Sequence, residues 1–259
     1  MLDVKLASFA AAYAEHREYE GRRLAEADLL ALPWLRNGPH ARQWAVRART
    51  FETFLDRLLE PTAAAMARPL TVLDLGAGNG WLSHRVAALG HSAIALDIRG
   101  DDVDGLGAGD WPTHFERILA SFDAIPLADD STDMTVFNAS LHYALDLPAA
   151  LAEAKRVTRC GGTIAILDSP FYRRESDGEA MVAEKRGSAR EQFGDRAEAL
   201  TSLDCIEFLT PARLAAASGM EWRRRRVLYP LAYELRPLVA ALSGRRPPSR
   251  FDLWTAEVR

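Results

Sequence analysis

The sequence predicts an α/β fold with a doubly wound, mostly parallel sheet that carries helices on both faces. Between residues 70 and 169, short apolar runs alternate with helical segments, which is the pattern of βαβ units. The first apolar run leads directly into closely spaced glycines, a common form of the first βα turn in such sheets. Residues 1–66 show helical periodicity and no strand pattern, so we expect a helical extension before the sheet.

Length and composition limit the classes of function. A chain of 259 residues fits one α/β domain with elaborations, or at most two domains. The net charge of −4 gives no support for general nucleic-acid binding. No apolar run approaches the roughly 20 residues of a membrane span, so no membrane partner is expected. With two cysteines, Cys160 and Cys205, and no signal-peptide pattern, the expected location is the cytoplasm.

The N-terminal extension contains one clear amphipathic helix. In "ARQWAVRARTFETFLDRLLEP" the apolar residues Trp44, Ala48, Phe51 and Leu55 recur at spacings of three and four. We expect this helix to end at Pro61, and the Pro- and Gly-containing stretch 32–40 before it to be a loop.

The remaining elements follow in order along the chain. The predicted elements are a strand at 70–76, a helix at 80–90, a strand at 91–97, a helical stretch at 111–122, a third strand at 122–127, a fourth at 132–140, a helix at 147–162 that closes at Gly161 and Gly162, and a fifth strand at 163–169. After a charged insertion, a helix begins at a Thr-Pro cap and covers 210–219, and two last strands cover 220–229 and 251–258.

The glycine turn "GAGNG" at 76–80 indicates a ligand site, because glycines let a ligand approach the backbone and leave peptide N–H groups facing it. Its spacing is G-x-G-x-G rather than the G-x-G-x-x-G of dinucleotide enzymes, and Trp81 stands where their third glycine would be. No phosphate-binding G-K-[ST] follows.

The stretch "VLDLGAGNG" resembles motif I of the class I S-adenosylmethionine (SAM)-dependent methyltransferases. Asp97, 21 residues past Gly76, is placed to accept hydrogen bonds from ribose hydroxyls, in SAM as in NAD, so this residue alone does not choose between them. The stretches "SFDAIPL", "TDMTVFNASLHY" and "EAKRVTRCGGTIAILDS" resemble later segments of the methyltransferase family in the same order. The resemblance implies a Rossmann-like, seven-stranded sheet and SAM as cofactor, with S-adenosylhomocysteine as product. The cofactor-binding residues that it implies are Asp74, Gly76, Ala77, Gly78, Asn79, Gly80, Asp97, Ile98, Asp123, Ala124, Asn138 and Ala139.

The expected reaction is in-line methyl transfer to a small-molecule acceptor whose accepting atom (O, N or C) stays open. His142, in the loop after the fourth strand, is the candidate general base, because imidazole titrates near neutral pH; packing at the pocket rim is the alternative. That loop reads "NASL" rather than the N-P-P-Y of the family members that methylate amino groups of adenine or glutamine, so the resemblance disfavours that class. No metal site is expected, and the acids at 101–104 are interpreted as a solvated loop.

Acceptor selection is assigned to the regions where the family varies. We expect a helical cap at 1–66 and a SAM-binding domain at 67–259 with a lid-like insertion at about 170–210. The aromatic candidates for the acceptor pocket are Tyr13, Tyr19, Trp44, Tyr143, Phe171 and Tyr172. The run Arg223–Arg226 is either a solvated edge or a site for an anionic substrate group.

Two rivals remain open at this point. One is a SAM-binding regulator or inactive partner without turnover, because cofactor motifs survive without catalysis. The other is an NAD-dependent oxidoreductase, which the glycine spacing disfavours. The oligomeric state stays open.

Overall fold

A computed structural model describes residues 4–193 and 204–259 of the chain. Its centre is a seven-stranded sheet in the order β3-β2-β1-β4-β5-β7-β6, in which β7 is the antiparallel strand and the others run in parallel. The strands are β1 (Thr71–Leu75), β2 (Ser92–Asp97), β3 (Glu116–Leu119), β4 (Thr132–Asn138), β5 (Thr158–Leu167), β6 (Arg223–Arg225) and β7 (Leu253–Glu257).

Helices cover both faces of this sheet and extend it at the N-terminus. They are α1 (Val4–Tyr19), α2 (Glu26–Ala31), α3 (Ala41–Phe54), α4 (Glu60–Met66), α5 (Trp81–Ala88), α6 (Leu147–Val157), α7 (Glu175–Phe193), α8 (Pro211–Ser218), α9 (Leu231–Glu234) and α10 (Arg236–Leu242). In the part of the chain that is described, no helix is long and apolar enough to cross a membrane. The predicted α/β fold with a helical N-terminus is therefore confirmed.

The strand order creates a switch point between β1 and β4. Leu75 of β1 is level with Leu96 of β2 on one side and with Phe137 of β4 on the other. From β1 the chain continues to β2 and β3 on one side, and from β4 it continues to β5 on the other side. The loops after β1 and β4 therefore lead away from each other and leave a crevice at the carboxyl ends of these two strands. Every residue of β4 is buried, as expected for a strand covered on both faces.

Two apolar clusters, one on each face, fix the helices to the sheet. On one face, Phe51 and Phe54 of α3 pack with Leu82 and Val86 of α5. On the other face, α6 contributes a buried stripe of Leu147, Ala150, Leu151, Ala154 and Val157, a spacing that fits one side of a helix. Because α3 shares its core with α5 and the central strands, the N-terminal helices are part of the packed structure.

The prediction that Pro61 ends the amphipathic helix is wrong. The chain continues helically from α3 through a wider π-type turn, Leu55–Leu59, into α4, which ends at Met66. Pro61 lies in the first turn of α4, directly after the π-type turn, whose wider spacing interrupts the regular hydrogen-bond ladder where proline lacks its N–H.

The assignments around the third strand are also wrong. Residues 116–119, predicted as helical, form β3, and the predicted strand at 122–127 is a loop. β3 pairs in parallel with β2, with Glu116 level with Ile94 and Leu119 level with Asp97. This strand has no buried residue, so its sequence lacks an apolar pattern, and pairing with β2 determines its conformation.

The fifth strand begins earlier than predicted. α6 ends at Val157, and Gly161 and Gly162 lie within β5 rather than at the end of the helix. Thr132 of β4 pairs with Thr158 and Met134 pairs with Thr163, so the intervening residues of β5 bulge out of the ladder. Gly161, with φ +78°, supplies the left-handed residue that this bulge requires.

Candidate functional site

The glycine turn after β1 lies at the switch point and has the backbone geometry that its sequence predicts. Gly76, Gly78 and Gly80 have φ values of +72°, +56° and +82°. The N–H of Gly76 donates to the carbonyl of Leu96 at 2.7 Å, which ties the turn to the end of β2. A Cβ on Gly76 would lie 2.4 Å from the Cβ of Ser140, so the loop after β4 leaves room for glycine alone at this position.

Asp97 at the end of β2 is held by the same turn. Its Oδ2 accepts the N–H of Gly78 at 2.8 Å, and its Oδ1 accepts the N–H of Arg99 at 2.9 Å. Burial raises the pKa of this carboxyl. Each carboxylate oxygen can accept two hydrogen bonds, so Asp97 retains one acceptor position per oxygen for a ligand.

A cavity of about 380 Å³ opens beside this turn. The cofactor candidates that line it are Gly76, Ala77, Gly78, Asn79, Asp97, Ile98, Asp123, Asn138 and Ala139. Asp74, Gly80 and Ala124 are not among the lining residues. Gly80 instead stands before α5 in a left-handed conformation, where a Cβ would meet the ring of Phe115.

Asp74 lies buried beneath the turn. Its Oδ2 accepts the hydroxyl of Ser83 at 3.0 Å, whereas its Oδ1 has no hydrogen-bond partner among the described residues. Burial raises the pKa of this carboxyl to about 7. A buried acceptor without a partner is costly, and either protonation or a ligand that donates to it removes the cost.

The helix α1 covers one side of the cavity. Leu6, Phe9, Tyr13 and Arg17, spaced by three and four residues, place one helix face on the lining. The Tyr13 hydroxyl lies 3.1 Å from that of Tyr143, which joins α1 to the loop after β4. A second tie, from Arg17 to Asp104, holds the C-terminal half of α1.

The acidic stretch 101–104, expected to be a solvated loop, is instead partly buried and bonded to its surroundings. Asp104 accepts from the guanidinium of Arg17 at 2.5 and 2.8 Å and from the side-chain amide of Asn79 at 3.0 Å. Asp101 pairs with Arg99 at 2.9 Å. Across residues 4–193 and 204–259, no group of His, Cys, Asp and Glu side chains could hold a metal ion.

The far end of the cavity, near the ends of β4 and β5, holds a charged pair. Nε of Arg47 lies 3.6 Å from Oδ2 of Asp168, and its Nη2 lies 3.5 Å from Oδ1 of Asn138. Neither carboxylate oxygen of Asp168 has a hydrogen bond of good geometry to any described residue, and burial raises the pKa of this group to about 6 against the opposing effects of nearby Arg47 and Thr50. The guanidinium of Arg47 also lies 4.5 Å from the ring centre of Trp44.

The sequence analysis did not identify Arg47. It follows Trp44 by three residues, so both project from the same face of α3, and this spacing was the available signal. Asp168, one residue after β5, adopts a left-handed φ of +51°. This unusual conformation accompanies a side chain that lines the cavity.

His142 also lines the cavity, but its surroundings disfavour the charged form. Desolvation, with the positive charges of Lys185 and Arg47, lowers its pKa to about 3. Its Nδ1 lies 3.4 Å from the Ser169 hydroxyl, and its ring centre lies 4.3 Å from that of Tyr143. The imidazole is therefore neutral and weakly basic near neutral pH.

The aromatic candidates separate into two groups. Tyr13, Trp44 and Tyr143 line the cavity. Phe171 instead stacks on Trp254 at 4.8 Å, and Tyr172 packs against Phe208. Tyr19 is mostly exposed, and the residues 194–203 of the expected insertion lie outside the described part of the chain.

The arginine run after residue 222 does not reach this cavity. Arg223 and Arg225 line a separate cleft together with Lys155 and Glu257. Arg224, on the opposite face of the short strand, pairs with Asp252 at 2.6 Å.

Comparison with known proteins shows what this chain is similar to. Residues 73–166 match the family model described as a methyltransferase domain. The chain is 33% identical over 127 residues to a malonyl-[acyl-carrier protein] O-methyltransferase of Erwinia pyrifoliae, covering 49% of this chain and 47% of that protein. It is 30% identical over 190 residues to the enzyme of the same name from Methylococcus capsulatus, covering 68% and 63%. The chain thus spans about half the length of the first of these relatives.

Solved structures agree with the fold. A protein from Pyrococcus horikoshii superposes with a TM-score of 0.52 at 12% identity, covering 89% of this chain and 97% of that one. A protein from Listeria monocytogenes, assigned as a SAM-dependent methyltransferase, superposes with a TM-score of 0.51 at 16% identity, covering 83% and 99%. Residues 73–166 thus resemble a methyltransferase domain, and the seven-stranded sheet around them has the fold of these solved structures.

Proposed function

We propose that this chain transfers a methyl group from SAM to a small-molecule acceptor. The observation that carries the proposal is the pairing of the glycine turn with Asp97, which keeps acceptor positions free at the edge of a cavity of about 380 Å³. A cavity of this size, at the switch point of a parallel sheet, suits a nucleoside cofactor. The matching methyltransferase domain supports the same function.

The residues present fit this cofactor. Asp97 would accept both ribose hydroxyls, Ile98 and Asp123 would contact the adenine, and Gly76 and Asn138 would border the methionine end. SAM supplies a reactive methyl on a sulfonium, so the protein mainly orients the acceptor and excludes water. α1, joined to the rim through Tyr13 and Tyr143, covers the cavity against solvent.

An acceptor that must lose a proton requires a base at the far end of the cavity. His142 is the residue that the sequence suggests, but a pKa of about 3 makes it a weak base. Asp168, with a pKa of about 6 and two carboxylate oxygens without a hydrogen bond of good geometry to any described residue, is better matched to this role. We infer that Asp168 accepts the proton and that His142 shapes the wall of the pocket.

The names of the relatives suggest which acceptor to test first. Malonyl-[acyl-carrier protein] O-methyltransferases of several bacteria are among the proteins that this chain resembles. In this chain, Arg47 places a cation in the cavity where an acceptor carboxylate could form charge-assisted hydrogen bonds. A malonyl thioester is therefore the first acceptor to test. Methylation of its free carboxylate would identify oxygen as the accepting atom.

Calorimetric titration with S-adenosylhomocysteine, and with NADH as a control, tests the cofactor. Micromolar binding of S-adenosylhomocysteine without binding of NADH is the expected result. NADH binding alone would replace this proposal with the oxidoreductase. Binding of S-adenosylhomocysteine without transfer of radioactive methyl to any acceptor in a broad screen would favour the regulator without turnover.

The cellular location belongs to the same proposal. Cys160 and Cys205 are both free thiols in this structure. Free thiols are typical of a reducing compartment, which supports the cytoplasm.

A further inference from the structure

The segment that contains α9 and α10 turns its apolar side outward. Leu231, Leu235, Leu238 and Leu242 recur at spacings of four, three and four, which places them on one helix face. Together with Leu228 and Val239 they are 42–81% exposed. We call these six residues the leucine stripe. Neither α9 nor α10 contains a buried residue.

The other side of the same helices faces the protein and fixes their orientation. The ring of Tyr233 lies 4.5 Å from that of Tyr229, and the guanidinium of Arg236 lies 3.4 Å from the Tyr233 ring centre. Arg236 also donates to the carbonyl of Ser249 at 3.2 Å. Contacts along this side hold the leucine stripe away from the core, so its exposure is a property of the folded chain. A contiguous exposed apolar surface of this kind usually marks an interaction site.

The same part of the chain is strongly basic. Residues 222–250 contain eight arginines and one acidic residue, Glu234, although the whole chain has a net charge of −4. Glu234 is paired with Arg226 at 2.9 Å, so its charge is compensated locally. Arg246 is paired with Glu184 at 2.7 Å and Arg224 with Asp252 at 2.6 Å, whereas Arg245, shortly after α10 at the end of the leucine stripe, is exposed. The surface therefore combines exposed aliphatic side chains with positive charge.

From this combination we propose that the leucine stripe, with its neighbouring arginines, docks the protein onto an anionic lipid surface. Amphipathic helices lie in the membrane interface with their apolar side chains among the acyl chains and basic residues at the anionic headgroups. Here α9 and α10 supply the apolar face, and the basic residues are mostly arginines that flank these helices in the sequence. The absence of a membrane-spanning helix among the described residues is compatible with this mode, because the helix lies in the interface.

Two other occupants fit the surface less well. A second copy of the chain would bring two arginine-rich surfaces together, and like charges at an interface are unfavourable. A protein partner is usually bound through tyrosine, tryptophan and arginine, whereas leucine and valine are under-represented among the dominant contacts. The leucine stripe consists of leucine and valine alone, on a convex helix rather than in a groove.

The proposed surface adjoins the cavity without sharing its lining residues. The Tyr229 hydroxyl donates to the carbonyl of Phe251 at 2.8 Å, and Phe251 lines the cavity. None of the six residues of the leucine stripe lines the cavity. The proposal therefore stands independently of methyl transfer and can be tested separately from it.

Flotation of the full chain with lipid vesicles tests the proposal. We expect binding to phosphatidylcholine vesicles that contain one part in three of phosphatidylserine, little binding to pure phosphatidylcholine, and weaker binding in high salt. The substitutions Leu238→Ser and Leu242→Ser together should lower the partition coefficient about ten-fold or more, because two inserted side chains are lost. The control pair Met66→Ser and Leu89→Ser changes two exposed apolar residues elsewhere and should leave the partition coefficient unchanged.

A second pair of variants tests the charge. Arg245→Gln and Arg250→Gln together should weaken binding by roughly ten-fold or more, since each basic residue near an anionic surface contributes about five-fold. Arg36→Gln and Arg57→Gln, which lie on the N-terminal helical part, are the matched control and should have no effect. Equal loss in both arginine pairs would mean that net charge alone drives binding, and this result would overturn the proposal.

Other results would assign the surface differently. A wild-type chain that ignores anionic vesicles, but forms a dimer that the leucine variants dissociate, would show that a second copy covers the leucine stripe. Equal binding to both kinds of vesicle would remove the role of the arginines. All substituted side chains are exposed in the wild type, so we expect every variant to fold. Thermal unfolding of each variant checks this.

Discussion

Adding one methyl group at Gly76 tests how tightly the glycine turn is packed against the loop after β4. A Cβ there would lie 2.4 Å from the Cβ of Ser140 and 3.0 Å from the ring of Phe122. The atom of Ser140 that would be met is its Cβ, which no side-chain rotation moves, and the Ser140 hydroxyl also donates to the carbonyl of Leu75 at 2.5 Å. A left-handed alanine costs about 1–2 kcal/mol and overpacking about 1–3 kcal/mol, so Gly76→Ala should lower the free energy of unfolding by about 2–5 kcal/mol.

Gly161 provides a matched control for the backbone term. Its φ of +78° resembles the +72° of Gly76, but in the described structure a Cβ on Gly161 meets no atom within 4 Å. Gly161→Ala should therefore cost about 1–2 kcal/mol, the left-handed backbone term alone. The difference between the two variants measures the contact with Ser140 and Phe122.

A double-mutant cycle isolates the contact further. Ser140→Gly removes the Cβ that an alanine at position 76 would meet. In the Gly76→Ala background it should recover about 1–3 kcal/mol relative to its effect in the wild type. Urea unfolding followed by circular dichroism supplies all of these free energies. Equal losses for Gly76→Ala and Gly161→Ala, together with zero coupling to Ser140→Gly, would refute the packing argument.

Three further predictions concern the cavity. Asp97→Ala should weaken S-adenosylhomocysteine binding by about 1–3 kcal/mol, roughly 5- to 150-fold in calorimetry, because hydrogen bonds to the ribose are lost. Asp110→Ala, which removes an exposed acid, is the control. An Asp97→Ala protein that binds as tightly as the wild type would show that the ribose lies elsewhere. Burial raises the pKa of Asp74 to about 7, so the folded chain holds a proton that the unfolded chain has lost, and stability should fall as pH rises from about 4 to 7. Asp74→Asn should remove up to about 4 kcal/mol of that fall in urea unfolding, and parallel curves for wild type and variant would contradict this. With any acceptor that loses a proton, Asp168→Asn should lower kcat by about 10²–10⁴-fold, whereas His142→Gln should lower it by less than ten-fold. A larger loss for His142→Gln than for Asp168→Asn would assign the base to His142.

The sequence by itself determined much of the local backbone structure around the glycine turn. The strands at 71–75 and 132–138 could be predicted because they are rich in apolar and β-branched residues and are bounded by turns, and both are found. The glycines at 76, 78 and 80 permit the left-handed backbone of a tight turn, so a turn with this conformation at the end of β1 could be predicted. Asp97 could be placed for the same reason, because it ends the next strand along the chain.

Only the tertiary structure determined the features that depend on contacts between residues far apart in the sequence. β3 is a strand because β2 supplies its hydrogen bonds, and the chain passes Pro61 helically because a π-type turn precedes it. Arg47 and Asp168 meet across more than a hundred residues, which no local spacing shows. The pKa values of His142 and Asp74 likewise follow from burial. Sequence patterns record local backbone preferences, whereas burial and long-range contacts exist only after the sheet has assembled, so the acceptor end of the cavity could not be derived from the sequence alone.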